Sequence, residues 1–239
     1  MKIEVLADSD AVAQAAAAII ATEARAALAA RGRFILAVSG GNTPCQMFRV
    51  LAHEEVPLEG LHVVQVDERI APLGHPDRNL TLLREALLEH GPLRDEQIHP
   101  MPVESPDLLA AATRYGQKLF EMAGSPPILD LVHLGLGPDG HTASLVPGDP
   151  VLEVTASDVA LTGVYQGRRR MTLTYPILNR SRRILWIVTG HAKAEMLTRL
   201  LAGDLSIPAG GVNRDQALVL ADCAAAEQPD PAAVKEVLP

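Results

Sequence analysis

Strand-like and helix-like stretches alternate along this 239-residue chain. That alternation predicts an α/β fold: a mostly parallel, Rossmann-like sheet with helices on both faces. Residues 129–134 are apolar and carry no charge after Asp130, which suits a strand buried on both faces of a parallel sheet. Past Pro150 the pattern turns to β, so a smaller β-rich portion is expected toward the C-terminus. No repeat, low-complexity segment or linker interrupts the pattern, and residues 1–239 read as one domain.

The elements follow in order. Residues 2–7 alternate like an edge strand. Ser9 or Asp10 is placed to cap a helix running to about Ala30 and stopped by Gly32. Residues 33–38 (RFILAV) form the next strand, which runs straight into Ser39-Gly40-Gly41-Asn42-Thr43-Pro44. Thr43 suits an N-cap and Pro44 a first helical position, predicting a helix over about 44–53. Residues 61–66 (LHVVQV) make a third strand, ending in Asp67-Glu68-Arg69. Asn79 suits the cap of a helix to about His90, and Ser105-Pro106-Asp107 the start of one ending near Gly124. Then comes the strand at 129–134. Residues 159–164 and 170–174 read as strands, 176–180 as a short helix, 183–189 (RILWIVT) as a strong buried strand. Residues 190–202 read as helical, 217–220 as the last strand, and the tail as a short helix.

Composition bounds the rest. At 48% apolar and 21% charged the chain is ordinary and globular, and with 3% aromatics its core must be aliphatic. A net charge of −8 argues against nucleic acid and means that an anionic ligand needs local cations. Two cysteines make no disulfide framework, so a reduced, cytoplasmic compartment is the expectation. The apolar stretch over 11–20 is too short and too polar at its end to span a membrane, and no signal-peptide pattern opens the chain. The eight histidines are scattered without metal-ligand spacing, so no metal is expected.

Four strand ends carry polar residues: 39–43, 67–69, 138–142 and 189–193. If they share the carboxyl edge of the sheet, they converge on one crevice, where open α/β sheets bind ligands. Gly40, Gly41, Asn42 and Thr43 before a helix resemble an anion cradle, although the spacing is neither a Walker A loop nor a dinucleotide fingerprint. Gly135, Gly137 and Gly140 let the backbone approach a ligand, and His141 follows them in the loop. His133, inside the apolar run, reads as a packed core histidine. Period-2 geometry puts Arg168 and Arg170 on one strand face and Arg169 on the other, with two of the three expected in solvent. One of these arginines with Lys193 could hold a phosphate. Asp67 or Glu68 could orient a histidine or act as a base, and Arg69 could hold an anion. No G-x-S-x-G elbow surrounds Ser144, which makes it a weak nucleophile candidate.

The run from Gly135 to Gly148 (GLGPDGHTASLVPG) resembles the signature of the 6-phosphogluconolactonases. The likeness extends to Ser39-Gly40-Gly41-Asn42-Thr43-Pro44, to Asp67-Glu68-Arg69 with His75-Pro76-Asp77-Arg78-Asn79, to Arg170-Met171-Thr172-Leu173-Thr174 with Asn179, and to Gly190-His191-Ala192-Lys193. These blocks span nearly the whole chain in the family order. The resemblance implies a fold shared with glucosamine-6-phosphate deaminases and ribose-5-phosphate isomerases. It implies hydrolysis of 6-phospho-D-glucono-1,5-lactone, with no cofactor. On this reading neutral His141 takes the proton of the attacking water, and Asp67 or Asp139 fixes its ring. Arg69 or backbone N–H groups meet the developing oxyanion, and Gly41 to Thr43 with Arg170 and Lys193 anchor the phosphate. Deaminases share several blocks, but their pattern after the histidine continues through Phe-Asn-Glu, where this chain has Ser144-Leu145-Val146, and they carry an aromatic residue where it has Arg69. A non-catalytic sugar-phosphate sensor ranks low, because no basic helix-turn-helix segment is present. Ile207-Pro208-Ala209-Gly210-Gly211-Val212 resembles a lactonase segment, with two unusual glycines and no role assigned; oligomeric state is left open.

Overall fold

In the computed structural model, described over residues 1–56, 59–87 and 93–227, a seven-stranded sheet is built from β1 (Lys2–Leu6), β2 (Phe34–Val38), β3 (Leu61–Gln65), β5 (Ile98–His99), β6 (Leu131–Gly135), β9 (Ile184–Val188) and β10 (Ala217–Asp222). Its order is β1-β10-β9-β6-β2-β3-β5 and every pairing is parallel. The helices are α1 (Ser9–Arg31), α2 (Asn42–Leu51), α3 (Asn79–Leu87), α4 (Leu108–Ala123), α5 (Tyr175–Arg180), α6 (Ala194–Ala202) and α7 (Cys223–Ala226).

The inner strands read as apolar runs because both faces are covered. Phe34, Leu36 and Val38 pack with α1, α2 and α3, while Ile35 and Ala37 pack with α4, α5 and α6 on the other face. In β9, Leu185 and Ile187 take the first side and Ile184, Trp186 and Val188 the second. Each fully buried aliphatic side chain stabilises by about 1.5–3 kcal/mol. In α1, Ala13, Ala16, Ala17 and Ala24 are buried, and the helix packs on α2, β2, β9 and β10. By length and composition this 23-residue helix is long and apolar enough to cross a membrane, contrary to the expectation from 11–20 alone; here its apolar stripe faces the sheet.

A second, antiparallel sheet has the order β4-β8-β7, from β4 (Asp67–Arg69), β8 (Arg170–Leu173) and β7 (Val159–Leu161). The expected β-rich portion is therefore completed by a strand from the N-terminal half. Asp67-Glu68-Arg69 is not merely the end of the third strand, because it crosses to pair with β8.

Tertiary contacts also reassign three caps. Asp8, not Ser9 or Asp10, caps α1, accepting from the Ala11 N–H at 2.8 Å. Gly41, not Thr43, stands at the N-cap of α2 at φ 126°, a conformation that favours glycine, and no side chain caps this end. Asn79 begins α3, but the Glu68 carboxylate accepts the Asn79 and Leu80 N–H groups at 2.8 and 2.9 Å. Glu68 is fully buried and ion-paired with Arg78 at 3.0 Å, so its role is to hold β4 and α3 together. The strand at 98–99 carries too few residues to show a period in the sequence. The expected continuation of α3 to His90 falls in 88–92, and the rest of the tail in 228–239; both lie outside the described residues.

Candidate active site

From β2 the chain proceeds to β3 and β5 on one side; from β6 it proceeds to β9 and β10 on the other. The loops after β2 and β6 thus leave adjacent strands in opposite directions and open a crevice at the carboxyl edge. A cleft of about 180 Å³ lies there, lined by Ser39, Gly40, Asp67, Arg69, Asn79, Gly137, Pro138, His141, Ala143, Arg170 and Lys193. All four polar strand ends expected to converge contribute to it.

His141 is held from behind. Its Nδ1 lies 2.5 Å from Asp139 Oδ1, and its backbone N–H donates to the same oxygen at 3.2 Å. With Nδ1–H donating to the carboxylate, Nε2 carries the free lone pair. Gly137 makes room for this arrangement, since a Cβ there would fall on the imidazole. Asp139 Oδ2 accepts from the Tyr165 hydroxyl at 2.8 Å. Burial pushes the Asp139 carboxyl up, but the bonds from Tyr165 and His141 outweigh it and hold the group below its ordinary value. The segment 207–211, which had no assigned role, buttresses this loop. The Ala209 N–H donates to Gly140 O at 2.9 Å, and the Tyr175 hydroxyl fixes Pro208 O at 2.7 Å.

Asp67 lines the cleft but makes no hydrogen bond to His141. Its Oδ2 accepts from the Ser144 hydroxyl at 2.5 Å and its Oδ1 from Asn79 Nδ2 at 3.2 Å. Of the two carboxylates considered as partners for His141, Asp139 is the one in contact. Ser144 is fully buried and engaged with Asp67, which removes it as a nucleophile. His133 is likewise fully buried, accepts from the Ser39 N–H at 3.3 Å, and is held by burial at about 3.

The cleft is cationic. Arg69 and Arg170 face each other directly across β4 and β8, and like charges so placed repel. Each also has a buried Nε without a hydrogen-bond acceptor among the described residues. An anion between them would meet both needs. Lys193, in the turn His191–Lys193 before α6, forms no ion pair among the described residues. Burial lowers its ammonium below the ordinary value, opposed by the Asp139 carboxylate. Of the neighbouring arginines, Arg168 pairs with Asp77 at 2.8 Å and Arg169 is exposed, so Arg170 alone of the three is buried; Arg168 does not share its face as the alternation predicts, because β8 begins only at Arg170. Gly41 and Thr43 do not line the cleft. Thr43 Oγ1 instead meets Thr189 Oγ1 at 2.8 Å, and the Asn42 side chain lies outside the described residues. Among the described residues no cluster of three or more His, Cys, Asp or Glu could hold a metal.

Tyr165 and Asn79 are the contributors that the sequence reading does not assign. Asn79 carries a recognisable cap signal but spends its side chain on Asp67. Tyr165 sits in a turn with no spacing relation to the residues it touches.

Residues 7–220 match the family model described as glucosamine-6-phosphate isomerases/6-phosphogluconolactonase. The chain is 37% identical to a 6-phosphogluconolactonase of Synechocystis over 84% of this chain and 85% of that protein. It is 37% identical to one of Mycobacterium tuberculosis over 92% and 95%. Among solved structures it superposes on a 6-phosphogluconolactonase from Thermotoga maritima with a TM-score of 0.81 and 26% identity, covering 92% of this chain and 98% of that one. A monomeric glucosamine-6-phosphate deaminase superposes with a TM-score of 0.82 at 22% identity, covering 95% and 99%, which is a likeness of fold.

Proposed function

We infer that this chain, which belongs to the glucosamine-6-phosphate isomerase/6-phosphogluconolactonase family, hydrolyses 6-phospho-D-glucono-1,5-lactone to 6-phospho-D-gluconate, the second step of the oxidative pentose phosphate pathway. The observation that carries the chemistry is one imidazole, backed by a carboxylate, on the wall of a cleft that holds three cations.

His141 Nε2 accepts a proton from water as the water oxygen attacks the lactone C1. Such assistance contributes about 10²–10⁴-fold. Asp139 keeps the ring in the tautomer that can accept, and stabilises the imidazolium once formed. Charge grows on the carbonyl oxygen and meets Arg69 or loop N–H groups. The tetrahedral intermediate collapses, the C1–ring oxygen bond breaks, and His141 returns its proton to the departing oxygen. Arg170 and Lys193 hold the phosphate beside Gly40, which lines the cleft with them. That remote binding positions the carbonyl. Asp67 keeps Arg170 in place, 3.9 Å away, and is not the base.

Deamination of glucosamine 6-phosphate is the competing chemistry within this family. The stretch after His141 has the buried Val146 where the deaminase pattern brings a glutamate, and this favours the lactonase. A lactone-opening assay corrected for spontaneous hydrolysis, with ammonia detection on the aminosugar phosphate, separates the two. Acceleration of lactone opening that is lost in His141→Gln supports this reading, and ammonia release without it overturns it.

A further inference from the structure

We propose that Tyr165 is a positioning residue for this reaction, its hydroxyl fixing the carboxylate behind His141 and its ring supporting the Arg170 guanidinium. The proposal rests on the lactonase reading of the cleft. It adds a residue on which both halves of the site depend.

Asp139 has two carboxylate oxygens. Oδ1 is taken up by His141, and Oδ2 has the Tyr165 hydroxyl at 2.8 Å. The same hydroxyl lies 3.2 Å from His141 Nδ1, and the two rings meet edge-on at 5.3 Å between centroids. Without the hydroxyl, Oδ2 would lose that donor and the carboxylate plane would be free to turn, taking the imidazole with it. Burial, with Asp139 beside it, pushes the tyrosine up to about 12, so the hydroxyl remains a donor through the neutral range. On the ring's face, Arg170 Cζ stands 4.9 Å from the centroid, within the range of a cation–π contact. One side chain therefore touches the group that orients the base and a cation that faces the substrate.

The turn that carries Tyr165 is built for this. The Tyr165 N–H donates to Arg168 O at 2.9 Å and the Arg168 N–H to Tyr165 O at 3.2 Å. Between them Gln166 and Gly167 have φ of 51° and 78°, the pattern of a type I′ hairpin turn. Glycine adopts that conformation freely, but glutamine does so only when its surroundings hold it there. Those surroundings are the site itself: Gln166 Oε1 accepts from Arg170 Nη2 at 3.2 Å. Arg168 ties the turn to the loop after β4 through Asp77 at 2.8 Å and His75 at 3.1 Å. The turn is thus clamped on both sides, with Tyr165 directed at Asp139.

The two halves of the proposal separate by substitution. Tyr165→Phe keeps the ring and removes the donor. It lowers kcat about tenfold and leaves KM within about twofold, because the Arg170 contact survives. Removing the donor also leaves more negative charge on Asp139, which favours the imidazolium. The acid limb of kcat/KM against pH therefore moves upward, by about half a unit. The charged and titratable groups facing His141 across the cleft are Asp139, Tyr165, Asp67, Arg69, Arg170 and Lys193, and only the Asp139–Tyr165 pair is altered. Tyr165→Leu removes the ring as well, so KM rises about 3- to 10-fold on top of the loss in kcat.

Initial rates for both variants and for His141→Gln, corrected for spontaneous hydrolysis across the pH range, test this. The expected result is a shifted acid limb in Tyr165→Phe and a raised KM confined to Tyr165→Leu. A Tyr165→Phe enzyme with wild-type kcat and an unmoved acid limb overturns the proposal. So does a fall in kcat that appears together with unfolding and without the pH shift. If His141→Gln is inactive while Tyr165→Phe behaves as wild type, only the role of Tyr165 is lost. If His141→Gln retains full activity, the lactonase reading of the cleft is lost instead.

Discussion

Asp139 grips His141 at two points, accepting from both the ring Nδ1 and the backbone N–H of the same residue on a single carboxylate oxygen. A spacing of two residues thus closes a small ring that fixes imidazole and loop together. Asp139→Asn removes the charge and leaves the shape. It should lower kcat about 10- to 100-fold with little change in the unfolding temperature. Steady-state kinetics beside a thermal melt check this, and a stable variant with unchanged kcat would show that the carboxylate is dispensable.

Ser144 is expected to act on stability and not on chemistry. Its hydroxyl is fully buried against Asp67. Ser144→Ala deprives that carboxylate of a donor and should cost about 1–3 kcal/mol, while kcat stays within a few-fold. Urea denaturation and initial rates measure the two effects. A collapse in kcat with an unmoved urea midpoint would return Ser144 to the list of reacting groups.

Lys193 brings a partly desolvated ammonium, without an ion pair among the described residues, to the cleft. Lys193→Met should raise KM for the phosphorylated lactone about 10- to 100-fold, with a smaller effect on kcat. The same variant should treat an unphosphorylated lactone as the wild type does. Equal losses on both substrates would mean that the lysine contacts the sugar or the reacting carbonyl and not the phosphate.

Acid should destabilise the fold through histidines outside the cleft. Burial, then the Lys118 charge, then His62, holds His99 at about 4, and burial holds His133 at about 3. Burial also lowers His62, with Arg33 and Lys118 adding to it; its Nδ1 lies 3.1 Å from His99 Nε2. All three bind protons less readily folded than unfolded. Their neutral forms leave stability intact above the ordinary imidazole value of about 6.5, and stability falls as pH drops from there toward the lowered values. The urea midpoint should decline between about pH 7 and 5, before most carboxylates titrate, and His99→Gln should flatten the decline. A midpoint constant over that interval would contradict it.

Much of this molecule is written in local pattern. Runs such as Phe34–Val38 and Ile184–Val188 are apolar at every position because both faces are covered, and a window of a few residues carries that signal. The loop from Gly135 to His141 and the core position of His133 were legible for the same reason: residue type and pattern suffice. Other assignments depend on partners far away in sequence. Asp67 and Asp139 were equal candidates to orient His141 until the fold placed Ser144, 77 residues on, against the first. Asp8 and Thr43 show that even a cap is decided by where the preceding turn points. Tyr165 left no trace in spacing, because it stands 26 positions after Asp139 and reaches it through a turn. Sequence alone determined the long elements, though not the short strands β4 and β5, together with the edge of the sheet where the chemistry gathers and the residue types assembled there. Tertiary structure alone decided which carboxylate serves the imidazole and which serves the scaffold, since hydrogen bonds are chosen by distance and direction in space, and periodicity constrains neither beyond one element.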